Sequence, residues 1–245
     1  MRFHELAAAL QASTRFMPSG DRETAMRLAS SQKFYCGDVT NIPRSELPEH
    51  IPRLPFPCSA FEFAFADDLK KLVVEIVLAF EIEGELRTLH FGRWLRQWMF
   101  LGTGRIFNQP DGVKIQASHS SLVPEKLRAA AEADIFQDIA YLELFLNVLN
   151  CSNVSTSEIL APDRLNKKRA KKGIGPIYSY HVLTLRRSMR TAILGSSDHA
   201  SPRVHLRRGH IKRRKTGNFW WQPCVVGDRK RGLLLKDYDA SELPA

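Results

Sequence analysis

Cysteine is scarce in this chain and never paired. The 245 residues hold four, Cys36, Cys58, Cys151 and Cys224, and none has a C-x-x-C partner or a histidine at metal-ligand spacing. Structural zinc draws on closely spaced donors, and a disulfide framework belongs to short secreted chains, so neither is expected. The thiols read as small core residues, and the sequence implies no metal and no cofactor. Long apolar runs are missing as well. The nearest, "LVVEIVLAF" at Leu72 to Phe80, is interrupted by Glu75 and has the length of a strand, whereas a membrane span needs roughly 18 or more apolar residues. The opening "MRFHELAAALQAS" is broken by Glu5 and too short for a signal-peptide core. A soluble cytoplasmic protein without a membrane partner is the expectation.

Phosphate-loop signatures are also lacking. "GTGR" at Gly102 to Arg105 has no strand-loop-helix context, "KKGIGP" is the glycine spacing of any basic linker, and "DDLKK" at Asp67 to Lys71 reads as a polar turn. His90 and His119 fall on separate strand patterns, and nothing in the sequence says that they meet.

The most informative shortage is acid in the last third. Residues 1–160 carry 16 Lys+Arg against 20 Asp+Glu, a net −4, while residues 161–245 carry 20 against 6, a net +14. A cation of this size fused to an ordinary acidic domain points to a polyanionic partner: RNA or DNA, an acidic host protein, or a phosphate-rich small molecule.

Helical patterns run over Phe3 to Ala12 and Arg22 to Ser31, the second introduced by Asp21 and Glu23. Prolines between Asn41 and Cys58 exclude a regular element there. From Ser59 the pattern changes to a meander of about four strands ending in "GVKIQASHS", with a turn at Gln109 to Gly112. Pro124 then opens a long helix with Leu127, Ala131, Ile135, Ile139, Leu142, Phe145 and Leu149 on its buried side; Glu132, Asp138 and Glu143 are expected on an acidic outer side. The basic run "NKKRAKKG" reads as a linker. Further strands are predicted at "IYSYHVLTLRR" and over Val204 to Arg213, Asn218 to Val226 and Gly232 to Tyr238. The fold class is thus α+β: helices and an antiparallel meander in residues 1–160, a basic linker and antiparallel β module in residues 161–245.

Within that module, "KTGN" marks a hairpin. Strict alternation that buries Val204 and Leu206 would also bury Arg208 and His210, which is costly for charge. A bulge at Arg208-Gly209 avoids this and places His205, Arg207, His210 and Lys212 on one outer face. Phosphate contacts are then expected from Lys167, Lys168, Arg169, Lys171, Lys172, Arg207, Arg208, Lys212, Arg213 and Arg214, with Trp220 or Trp221 as a stacking platform. Two imidazoles beside cations could also act as acid and base in metal-independent cleavage of RNA, with His205 and His210 in those roles. A third reading is an inhibitor that binds a host protein or sequesters a nucleotide signal.

The pattern of a basic L-N-K-K-R stretch, a tyrosine-histidine strand, then R-R-G-H, W-W, V-G-D and K-D-Y, spread over Asp163 to Leu185 and Val204 to Tyr238, resembles a family of phage and prophage proteins. The resemblance implies a viral or prophage source and a host-cytoplasm setting, in which accessory proteins act on host defence or on nucleic acid. Non-catalytic binding of RNA or DNA is the function favoured by the sequence.

Overall fold

The computed structural model describes residues 2–12, 22–39, 51, 53–66, 72–94, 97–185, 203–207, 210–221, 224–226 and 228–233. It is a mixed α and β structure with few helices, and the chain divides into two compact units, one of residues 1–150 and 155–184, the other of residues 151–154 and 185–245.

The first unit is organised by an eight-stranded, mostly antiparallel sheet. Its strands are β1 (Gln32–Asp38), β2 (Cys58–Ala66), β3 (Leu72–Ile82), β4 (Glu85–Trp94), β5 (Gln97–Gln109), β6 (Gly112–His119), β7 (Val154–Ile159) and β8 (Tyr180–Leu185), in the order β6-β5-β4-β3-β2-β1-β8-β7. Strands β2 to β6 are a plain antiparallel meander, while β1 lies parallel to both β2 and β8. The expected four strands become five because the aromatic stretch from Leu86 to Leu101 is two strands. Strands β1 and β7 were not legible as strands, being short and poor in apolar alternation. Between β3 and β4 the chain reverses in two residues, Glu83 and Gly84, with φ of 52° and 79°. That positive-φ pair matches the twist of the flanking strands, and glycine takes its share without strain.

Both faces of the sheet are covered, which explains why "FEFAFA" and "LVVEIVLAF" are apolar almost throughout rather than alternating. Helices α1 (Phe3–Ala12) and α2 (Arg22–Ser30) bring Phe3, Leu6, Leu10 and Leu28 against Ala60, Ala64, Val74, Ile76 and Leu78. On the other face α3 (Arg128–Leu149) packs Ile135, Ile139, Leu142, Phe145 and Leu146 against Phe34, Phe61, Phe63, Val77 and Ile106. Burying each such side chain stabilises by about 1.5–3 kcal/mol. The acidic side expected on α3 is corrected in part: Asp138 and Glu143 are buried, and of the three only Glu132 stays half-exposed.

The basic run is a helix. Helix α4 (Asp163–Ala170) has Asp163 in its first turn and Lys167, Lys168 and Arg169 in its last, the charge order that the helix dipole favours. Gly173, at φ 64°, ends it, with Ile174 N–H donating to the Arg169 carbonyl at 3.0 Å. This helix and β8 belong to the first unit.

The second unit holds β9 (Arg203–Arg207), β10 (His210–Arg214), β11 (Gly217–Trp221), β12 (Cys224–Val226) and β13 (Asp228–Leu233). Strands β10 and β11 pair as an antiparallel hairpin, and β9 lies between β12 and β13. The expected strand over Gly232 to Tyr238 falls mostly outside the described residues.

Candidate functional site

Two places gather chemistry-bearing side chains. The first is the β10–β11 hairpin. Lys212, Arg213, Arg214 and Lys215 are all exposed, the last in the two-residue turn that closes Arg214 onto Gly217. Lys212 is paired with Phe219, two pairs from the row of Trp221 and on the same face, so its ammonium leans diagonally over the Trp221 ring, 4.8 Å from the centroid. The Arg214 guanidinium repeats the geometry over Phe219 at 5.7 Å. Each contact contributes about 0.5–1 kcal/mol at an exposed position. Ile211 and Trp220 form the alternate pair, so the two tryptophans point to opposite faces and Trp221 shares the side of Lys212 and Arg214.

The hairpin is tied to residues 151–154 of its own unit. Asn153 acts as a surrogate strand residue: its Nδ2 donates to the Trp220 carbonyl at 2.7 Å and its Oδ1 accepts from the Trp220 N–H at 2.8 Å. Ser152 N–H adds a bond to the Asn218 carbonyl at 2.8 Å. Gly217 has φ 119°, and a Cβ there would sit 2.8 Å from Ser152 Oγ, so the position suits only glycine.

Lys167, Lys168 and Arg169 lie on α4 and Lys171 and Lys172 on the turn after it, with all four lysines exposed. Arg169 is committed locally, its Nε donating to the Gly175 carbonyl at 2.8 Å. Asn166 holds the helix to the following chain, bonding both N–H and carbonyl of Ile177 at 2.8 Å. His205 and Arg207 lie on β9 and His210 on β10, whereas Arg208 falls outside the described residues. The bulge that would bring His205 and His210 to one face rests wholly on positions 208 and 209, outside the described residues.

The second place was missed by the sequence reading. His90 of β4 and His119 of β6 both pair with Gly102 of β5, one on each side. Each histidine meets an acid of α3: His90 Nδ1 is 2.8 Å from Asp138 Oδ2, and His119 Nδ1 is 2.7 Å from Glu132 Oε1. Gly102 leaves the space between them to Ile135, whose Cδ1 lies 2.9 Å from where a Cβ would be. The outer dyad is partly exposed. The inner one is fully buried, and Thr88 Oγ1 lies 2.7 Å from His90 Nε2. A Cβ on Gly104 would collide with Thr88 Oγ1 and stand 3.2 Å from His90 Nε2, so this glycine makes room for the pair. The geometry of hydroxyl, imidazole and carboxylate resembles a nucleophile relay, but no substrate can touch a Thr88 with no exposed surface.

Carboxyl groups beside the inner dyad are displaced from their ordinary behaviour. Burial, and then the charge and hydrogen bond of Asp138, push Glu75 of β3 well above the usual carboxylate range. Burial and the Asp138 charge raise Asp134 to about 6. On the other face, burial lowers Lys33 to about 8 although its Nζ caps α2, donating to the Ser31 carbonyl at 2.6 Å and the Ala29 carbonyl at 3.2 Å.

Among the described residues no group of three or more His, Cys, Asp or Glu side chains could hold a metal ion, and no helix is long and apolar enough to cross a membrane. Comparison with known proteins finds no matching family model, no matching curated protein and no matching solved structure.

Proposed function

We propose that the protein binds nucleic acid without cleaving it, gripping the polyanion with the β10–β11 hairpin. The observation that carries this reading is the run of four exposed cations, Lys212 to Lys215, on a strand and turn whose partner strand sets Phe219 and Trp221 beneath two of them. Phosphates bind the cations and release counterions, while an indole edge freed from its lysine offers a stacking surface to a base. Either term alone is common; together on one ribbon they fit RNA or DNA better than an acidic protein. The lysines of α4 and the turn after it, Arg207 of β9, and Arg208, next to it in sequence, supply further phosphate contacts. The resemblance to phage and prophage proteins supports a setting in the host cytoplasm, against host defence.

The test is binding of single-stranded RNA, single-stranded DNA and duplex DNA across a salt series, in EDTA. Affinity that falls steeply with salt, and falls further in Lys212→Gln and Arg214→Gln chains, supports the reading. RNA cleavage in EDTA that disappears in His205→Ala or His210→Ala would replace it with a ribonuclease. Salt-insensitive capture of one host protein would replace it with an inhibitor.

A further inference from the structure

Glu75 occupies a position where packing alone calls for an apolar residue. It sits in the row Phe63, Glu75, Gly92 across β2, β3 and β4, on the face covered by α3, and is 3% exposed. Asp138, its hydrogen-bonded neighbour from α3, and His90 have no exposed surface at all. A buried carboxylate costs several kcal/mol unless it is neutralised or fully bonded. Asp138 is half satisfied: Oδ2 takes the His90 Nδ1–H, while Oδ1, like Glu75 Oε2, faces no N–H or O–H donor. Two carboxyl groups that touch and lack donors are reconciled by one proton, which turns their repulsion into a hydrogen bond.

We propose that Glu75, Asp138 and His90 form a proton latch: one proton, carried by Glu75 and shared with Asp138, fastens α3 to the eight-stranded sheet, and its loss loosens the helix. The groups shown around that proton are Glu75 on β3, Thr88 and His90 on β4, and Asp134 and Asp138 on α3; β5 contributes Gly102 and Gly104, beyond which His119 of β6 meets Glu132 of α3 in the outer dyad. The charges acting on Glu75 are those of Asp138 and Asp134, both negative, so nothing there favours its ionisation. Thr88 completes the line by meeting His90 Nε2, which fixes the ring and the Nδ1–H that Asp138 requires.

The sign follows from linkage. A carboxyl raised in the folded state binds its proton more tightly there than in the unfolded chain, so stability is full below the unfolded value, about 4, and is lost as pH rises through the folded one. For Asp134 that window closes at about 6; for Glu75, pushed well above the usual carboxylate range by burial and then by Asp138, stability is likewise lost on the alkaline side of the unfolded value. Stability of the intact chain, measured by denaturant unfolding from pH 5 to pH 9, is expected to fall with pH, and the slope that remains beyond the Asp134 step should correspond to one proton. Glu75→Gln keeps a donor for Asp138 but cannot ionise, so that slope should vanish, and the extra amide exchange of residues 128–149 at alkaline pH should vanish with it. Asp134→Asn should remove only the part below about pH 7. An unchanged alkaline slope in Glu75→Gln overturns the latch. Should that variant fail to fold, carbon NMR of the side-chain carboxyls in the unaltered chain decides: a protonated Glu75 at pH 7 supports the latch, and an ionised one sinks it.

Discussion

Helix α3 takes charge out of water and the β10–β11 hairpin holds it there. On α3, Asp138 is enclosed with His90 and Glu75 under aliphatic side chains, its Oδ2 meeting His90 while its Oδ1 and Glu75 Oε2 face no donor. On the hairpin, Lys212 to Lys215 stand in solvent, and the rings of Trp221 and Phe219 order Lys212 and Arg214. The same residue types therefore carry different consequences. Enclosed charge couples tightly to stability because its removal strands a partner. Exposed charge couples weakly to stability and strongly to a ligand that brings the opposite sign.

The comparison predicts its largest effect at Asp138. Asp138→Ala leaves His90 Nδ1–H without an acceptor and Glu75 without its neighbour, and should cost about 3–5 kcal/mol of folding free energy by chemical denaturation. A loss below 1 kcal/mol would mean that α3 is held by its aliphatic stripe alone. Nucleic-acid affinity of the folded fraction should be unchanged.

Next in size is Trp221→Ala, whose effect belongs to binding. If Trp221 stacks on a base, affinity for single-stranded nucleic acid should fall by about 1–3 kcal/mol, with the salt slope preserved because no phosphate contact is lost. A change of slope without that loss would place Trp221 as a support for Lys212 rather than a platform.

How far the sequence reached differs between the two regions for a physical reason. Turn chemistry is local, so "KTGN" was enough to place the hairpin, and the alternation of Phe219 to Trp221 was enough to set the tryptophans on opposite faces. The enclosed dyad joins residues 48 positions apart, and only the three-dimensional pairing of β4 with α3 brings them together. One signal was present: Asp138 sits three residues after Ile135 and four before Leu142, inside the apolar stripe, where an acid has to find a partner. Helix α4 was read as a linker because its cations dominate the composition, although Asp163 at the start and Gly173 at the end already marked its limits. The parallel strand β1 had no such marks, since its partners β2 and β8 both lie further along the chain, neither joined to it by a tight turn.

A smaller effect tests whether the hairpin needs its tether. Asn153→Ala removes two bonds to the Trp220 backbone in a half-buried place and should destabilise the second unit by about 1–2 kcal/mol. Amide exchange at Trp220 should rise while that of α3 does not. Exchange rising in both would show that the two regions unfold together.

The smallest effect on stability is expected at α4 and the turn after it, and it is the one that can reverse the comparison. Lys167, Lys168, Lys171 and Lys172 are exposed, so changing all four to glutamine should leave folding within about 0.5 kcal/mol of the parent chain. Arg169 is retained because its bond to the Gly175 carbonyl shapes the chain after the helix. Binding is where the substitutions speak. Each lysine that neutralises a phosphate contributes about 0.7–0.9 to the slope of log affinity against log salt. If the hairpin is the main grip, the fourfold change should lower that slope by less than the Lys212→Gln, Arg214→Gln pair does. If the order is inverted, the polyanion lies along α4 of the first unit, and the rings beneath Lys212 and Arg214 serve only to stiffen a solvated ribbon.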